Sequence, residues 1–151
     1  MNLRRALLTA ALPAALFLCP QMAHAEALIG PRAGLEFNSS SFVLGGEFRY
    51  TLTNLGGSAK LVIRPGFDLF FNHGTSWELS GDLLFAFPVT PNVEPYVGPG
   101  IGVFDGGHAG LNIPIGVKFM NTNWVQPFVE LRPTVGNGSI VCLLGGVAFR
   151  L

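Results

Sequence analysis

The sequence predicts an all-β fold: an eight-stranded antiparallel up-and-down β-barrel, with short turns on both sides and its apolar face turned outward. Three observations lead there. Apolar residues recur at every second position in eight segments of about 9–12 residues, close to the ~9–11 a tilted strand needs to cross a bilayer. Residues with turn chemistry separate the segments. Nearly all charges share one face of them.

The chain opens with a different pattern. Arg4 and Arg5 precede an uncharged apolar run from Ala6 to Leu18, and Ala23-His24-Ala25 offers a small-x-small cleavage site before Glu26. Residues 1–25 are expected to be a cleaved export signal, since the apolar run is too short for a membrane-spanning helix. The remaining 126 residues, Glu26 to Leu151, form one domain with seven Lys or Arg, nine Asp or Glu and one cysteine, Cys142. A net charge of −2 provides no basic stripe for nucleic acid. A single cysteine allows no internal disulfide, so pairing and packing must hold the domain together.

The eight segments run approximately from Ile29 to Phe37, Phe42 to Leu52, Leu61 to Phe71, Trp77 to Phe87, Val93 to Phe104, Ala109 to Phe119, Val125 to Val135 and Val141 to Leu151. Between them lie Asn38-Ser39-Ser40, Asn54-Leu55-Gly56-Gly57, Asn72-His73-Gly74, Pro88 to Pro91, Asp105-Gly106-Gly107, Asn121-Thr122-Asn123 and Asn137-Gly138. These residues tolerate positive φ or preset a turn. The third segment shows the division of faces most plainly: Leu61, Ile63, Pro65, Phe67, Leu69 and Phe71 oppose Arg64, Gly66 and Asp68. Of the 16 charges after residue 25, 14 share the polar face or its extension, leaving only Glu26 and Asp105 outside it.

Alternation alone also fits a soluble barrel or two-sheet sandwich with the apolar face inside. Volume argues for the opposite arrangement. An eight-stranded barrel has an interior just wide enough for side chains, and Gly34, Gly45, Gly66, Gly98, Gly100, Gly102, Gly110 and Gly116 lie on the polar face. The charges on that face balance, so they can pair when buried. Aromatics also flank the apolar faces: Phe37, Phe42, Phe71 and Trp77 toward one rim, and Tyr50, Phe87, Phe119, Trp124 and Phe149 toward the other. Interfacial girdles of this kind mark transmembrane barrels.

The stretch from Glu94 to Val103 (EPYVGPGIGV) and the ending Gly145 to Leu151 (GGVAFRL) carry a resemblance. The chain resembles the family of small eight-stranded outer-membrane β-barrel domains. That resemblance implies location in the bacterial outer membrane, N- and C-termini on the periplasmic side, and a C-terminal strand read by the barrel assembly machinery. The family's signal usually ends in an aromatic residue; here Leu151 is last, with Phe149 two before it.

Candidate chemistry is sparse. His73 lies in a turn near Ser76 and Glu78, and His108 follows Asp105 in another. A Ser-His-acid site at a rim is the catalytic reading of these residues. The lumen parity of Glu78 weighs against it, and polar turn residues are the expectation. Gly98-Pro99-Gly100-Ile101-Gly102 lacks the helix and the Lys-Ser/Thr pair of a phosphate loop. Cys142 has lumen parity, and neither metal-ligand spacing nor a cofactor motif occurs.

One constellation has content. Arg32, Glu36, Glu47, Arg49, Arg64, Asp68, Glu78, Asp82, Glu130 and Arg132 are expected to form a structural network inside the lumen, with Glu47/Arg49, Arg64/Asp68, Glu78/Asp82 and Glu130/Arg132 at similar depth on four strands. The functional expectation is a monomeric, non-catalytic envelope barrel plugged by these ion pairs, in contact with outer-membrane lipid or lipopolysaccharide. The alternatives are a narrow pore, a lipid-modifying barrel enzyme and a soluble periplasmic β-protein that binds a ligand.

Overall fold

The computed structural model describes residues 26–120, 124–136 and 138–151. The expected export signal, the turn at Asn121–Asn123 and Asn137 lie outside the described residues. Ten strand segments follow one another: β1 (Ala27–Glu36), β2 (Ser41–Gly56), β3 (Ala59–Phe71), β4 (Thr75–Ala86), β5 (Val93–Val97), β6 (Gly100–Phe104), β7 (Ala109–Asn112), β8 (Ile115–Phe119), β9 (Val125–Gly136) and β10 (Ile140–Arg150).

They make eight barrel strands. β5 and β6 are halves of one strand interrupted at Gly98-Pro99, and β7 and β8 are halves of another interrupted at Ile113-Pro114. Proline has no N–H for the ladder, but the carbonyls continue it. Leu83 N donates to Pro99 O at 2.8 Å, and Gly98 N donates to Pro114 O at 3.3 Å. All pairings are antiparallel, and β1 with β10 closes the sheet. Followed once round the wall from Ala27 through Tyr50, Ile63, Leu83, Pro99, Ile113, Pro133 and Val141, the register returns to β1 at Phe37, ten residues on. That stagger tilts the strands about 35–45° from the barrel axis.

The β2–β3 hairpin departs from expectation. Strand structure continues past Leu52 to Gly56 and resumes at Ala59, so the connection shrinks to Gly57-Ser58. Gly57 has φ 59°, the conformation glycine supplies at the first position of a tight hairpin turn. Two register shifts, at Thr51/Thr53 and Asn54/Gly56, absorb the extra length.

Burial runs opposite to that of a water-soluble protein. Phe42, Leu44, Ile63, Phe67, Leu79, Ile101, Leu111, Ile115, Val129, Leu131, Leu143 and Phe149 are all exposed. Among the described residues twelve charged side chains are buried inside, including Arg32, Arg64 and Arg132. Phe42 and Phe71 lie side by side on the outer wall, ring centroids 6.5 Å apart. Inside, Val43, Phe70, Cys142 and Leu144 form an apolar layer toward the rim of the short turns, joined by Phe104 and Ile140. Val62, Leu84, Ala86 and Tyr96 form another toward the rim of the chain ends.

Candidate functional site: the charged lumen

Between the two apolar layers the lumen is filled by one connected set of hydrogen bonds. Arg32, on β1, reaches β3 and β2. Its Nε and Nη2 donate to Asp68 Oδ1 and Oδ2 at 2.8 and 2.7 Å, and its Nη1 donates to Glu47 Oε2 at 3.0 Å. Arg64, on β3, reaches in two directions. Its Nε and Nη2 both donate to Asp82 Oδ2 on β4, at 3.0 and 2.8 Å. Across the barrel it grips Glu130 on β9, with Nη2 to Oε1 at 3.0 Å and Nη1 to Oε2. Arg64 Nη1 also donates to Glu47 Oε2 at 3.3 Å. The planar guanidinium makes this possible, because its donors fan out in fixed directions.

Arg132 crosses in the reverse sense, from β9 to β3 and β4. Its Nη2 donates to Asp68 Oδ2 at 2.7 Å and Glu78 Oε2 at 3.0 Å. Arg49 pairs with Glu47 beside it, and its guanidinium lies over the rings of Tyr96 and Phe128 at 4.7 and 4.4 Å. Tyr96, Asn112 and Thr134 extend the set. Tyr96 Oη donates to Glu130 Oε2 at 2.9 Å, Asn112 Nδ2 to Glu78 Oε1 at 3.1 Å, and Thr134 Oγ1 to Asn112 Oδ1 at 2.8 Å.

Glycines make room for these side chains. A β-carbon on Gly45 would collide with Asp68, on Gly66 with Arg32, on Gly100 with Asp82, on Gly102 with Glu78, and on Gly116 with the Tyr96 ring. The polar face is therefore glycine-rich because long charged side chains from neighbouring strands occupy the space.

Nine of the ten residues singled out by parity meet in this one network. Glu36 stands apart: its carboxylate accepts from Asn38 N at 2.6 Å and Ser39 N at 2.9 Å, capping the β1–β2 turn. Only Glu47 and Arg49 pair along a strand; the other partners lie on different strands or across the lumen. Tyr96, Asn112 and Thr134 were not among the expected members, although their lumen parity was the available signal. A second, smaller cluster lies at the rim of the chain ends. Lys60 Nζ is 3.1 Å from Glu94 Oε2 and 3.7 Å from Glu26 Oε2, and Lys118 Nζ is 2.7 Å from Glu94 Oε1.

At the opposite rim, a cleft over the lumen is lined by Ser76, Trp77, Phe104, Asp105, His108, Thr134 and Ile140, among others. Ser76, His108 and Asp105 thus border one cleft, whereas His73 does not line it. The turns beside the cleft are tied together: Asn72 Nδ2 donates to Ser39 O at 2.6 Å, and Asn38 Nδ2 donates to Ser139 O. Among the described residues no His, Cys, Asp and Glu group could hold a metal ion.

In sequence the chain matches no protein-family profile and no curated protein. In structure it is similar to the N-terminal β-barrel domain of Pseudomonas aeruginosa OprF, with a TM-score of 0.70 at 19% identity over 85% of this chain and 100% of that one. The fold is that of the eight-stranded outer-membrane β-barrels. The outer-membrane enzyme PagL superposes with a TM-score of 0.69 at 13% identity, covering 82% of this chain and 99% of PagL. A de novo designed transmembrane β-barrel does so with 0.65 at 14%, covering 83% of this chain and 95% of the design. An enzyme and a designed protein on one fold mean that the fold alone carries no activity.

Proposed function

We propose that this protein is an integral outer-membrane barrel with a structural role in the envelope, its lumen closed by the charge network and its activity non-catalytic. The observation that carries the reading is the pair of opposed arms, Arg64 from β3 to Glu130 on β9 and Arg132 from β9 to Asp68 and Glu78. Guanidiniums laid across the barrel in both directions fill the section through which ions would have to pass. The exposed apolar wall supports insertion in lipid, because in water it would be an aggregation site.

The termini are assigned to the periplasm, with the C-terminal strand as the contact for barrel assembly. The turns at 37–40, 72–74, 105–108 and 138–139 then face outward. They are too short for an adhesin, and their described residues include no Lys or Arg, so lipopolysaccharide would be met through the aromatic girdle rather than through phosphate-binding cations. The barrel acts as a monomer.

Cell fractionation tests the location: the protein should co-purify with outer membranes and migrate differently on a gel before and after boiling. Planar-bilayer recording tests the closure, with no unitary conductance expected. A soluble, heat-indifferent protein would contradict the location, and steady channels would contradict the plug. Ser76→Ala and His108→Ala should leave the cell's lipid composition unchanged.

A further inference from the structure

We infer that the middle of the lumen binds one mobile positive charge, a proton or a monovalent alkali cation, at the free carboxylate oxygen of Asp82. This rests on the reading of the lumen as a closed, water-poor plug. The connected network contains five carboxylates (Glu47, Asp68, Glu78, Asp82 and Glu130) and four guanidiniums (Arg32, Arg49, Arg64 and Arg132) among the described residues. All nine side chains are at most a few per cent exposed, and apolar layers lie on either side of them. One carboxylate is in excess. An uncompensated charge in such a site is costly enough that it must be neutralised. The lysines cannot do this, because Lys60 and Lys118 are already matched by Glu26 and Glu94 in the separate rim cluster.

A second, independent feature locates the site. Of the ten carboxylate oxygens in the network, Asp82 Oδ1 alone accepts no hydrogen bond among the described residues, although Asp82 is 2% exposed. Both donors that Arg64 offers Asp82 go to the other oxygen, Oδ2. Oδ1 points instead into the space that Gly100 leaves on the neighbouring strand, where a β-carbon would collide with it. Arg132 Nε and Nη1 are also without acceptors. They add no charge to the count, since that guanidinium is already included. The charged and titratable groups facing Asp82 are Arg64 from β3 and, through Arg64, Glu47 from β2 and Glu130 from β9. Tyr96 from β5 completes the surroundings through Glu130.

The test is urea unfolding of the protein refolded into neutral-detergent micelles, followed by the gel shift on boiling. Asp82→Asn removes the surplus charge and should be as stable as the natural protein or more so. Asp68→Asn, which strips a carboxylate bridging two guanidiniums, should be weakened. The natural protein identifies the occupant between pH 7 and 9. A proton makes the folding constant fall up to tenfold per pH unit, whatever the salt. An alkali cation makes it rise with Na⁺ or K⁺, relative to choline at equal ionic strength, by up to tenfold per decade once the cation exceeds its dissociation constant. Either dependence should vanish in Asp82→Asn. The proposal is overturned if Asp82→Asn is weakened as much as Asp68→Asn, or fails to fold. It is also overturned if the natural protein shows neither dependence. A plug that leaks in planar bilayers would instead overturn the reading beneath it.

Discussion

Two clusters of ion pairs occupy the same lumen and differ in nearly every physical respect. The middle cluster is built on arginine, is fully buried and spans the barrel. The cluster at the rim of the chain ends is built on Lys60 and Lys118, and the Lys60 side chain keeps 25% of its exposure. An ammonium is a flexible point charge that can remain partly hydrated, whereas a guanidinium presents donors in a rigid plane that can engage several carboxylates. The middle cluster can therefore hold strands together, while the partly exposed Lys60 gains little beyond what water already offers and Lys118 with Glu94 is the buried pair of this rim. Sequence parity places both sets on one face. Depth and side-chain type decide which one matters.

The largest way to break that contrast is Arg64→Ala. It strands Asp82 and leaves Glu130 with Tyr96 alone, while Glu47 keeps Arg32 and Arg49; loss of one partner from a buried ion pair costs about 3–5 kcal/mol. Urea unfolding in micelles should show a fall of that size, and an unchanged midpoint would mean that the network is hydrated. The outer wall gives the next effect. Leu131→Arg, near mid-height on the lipid-facing side, should cost about 2–4 kcal/mol in a bilayer, whereas Phe149→Arg near the rim should cost roughly 0–1. Equal costs at the two positions would place the membrane boundary elsewhere. The smallest expected effect is Lys60→Ala, at about 0.2–1 kcal/mol. That loss should shrink in high salt, which screens exposed charges more than buried ones, while the Arg64 effect should persist.

Much of the fold was legible in the sequence because a strand's two faces alternate with a period of two. The strand segments, most turns and the sidedness of the charges follow from that alone. What was not legible has particular causes. The β2–β3 hairpin runs to Gly56 because Gly56 and Gly57 both take positive φ and reverse the chain within two residues, whereas Asn54-Leu55-Gly56-Gly57 reads as a longer loop. Pro99 and Pro114 interrupt the ladder without ending a strand, because each carbonyl still accepts. The partners of Arg64 were hidden for a different reason: parity specifies a face, but only the register between strands brings Asp82 and Glu130 within its reach. Glu36 has the parity of the network and instead caps a turn, since it stands at the end of its strand.

The central claim is that neighbouring residues on one strand face lipid and lumen in turn, with the apolar side in the lipid. Val129 and Phe128 on β9 test it directly, being 44% and 4% exposed on opposite faces. With Trp77 and Trp124 replaced by Phe, a single tryptophan is placed at Val129 or at Phe128, and the protein is refolded into vesicles of lipids brominated deep in the acyl chain. The account predicts strong quenching of Val129→Trp and little of Phe128→Trp. Quenching of Phe128→Trp with Val129→Trp unaffected would mean that inside and outside are reversed.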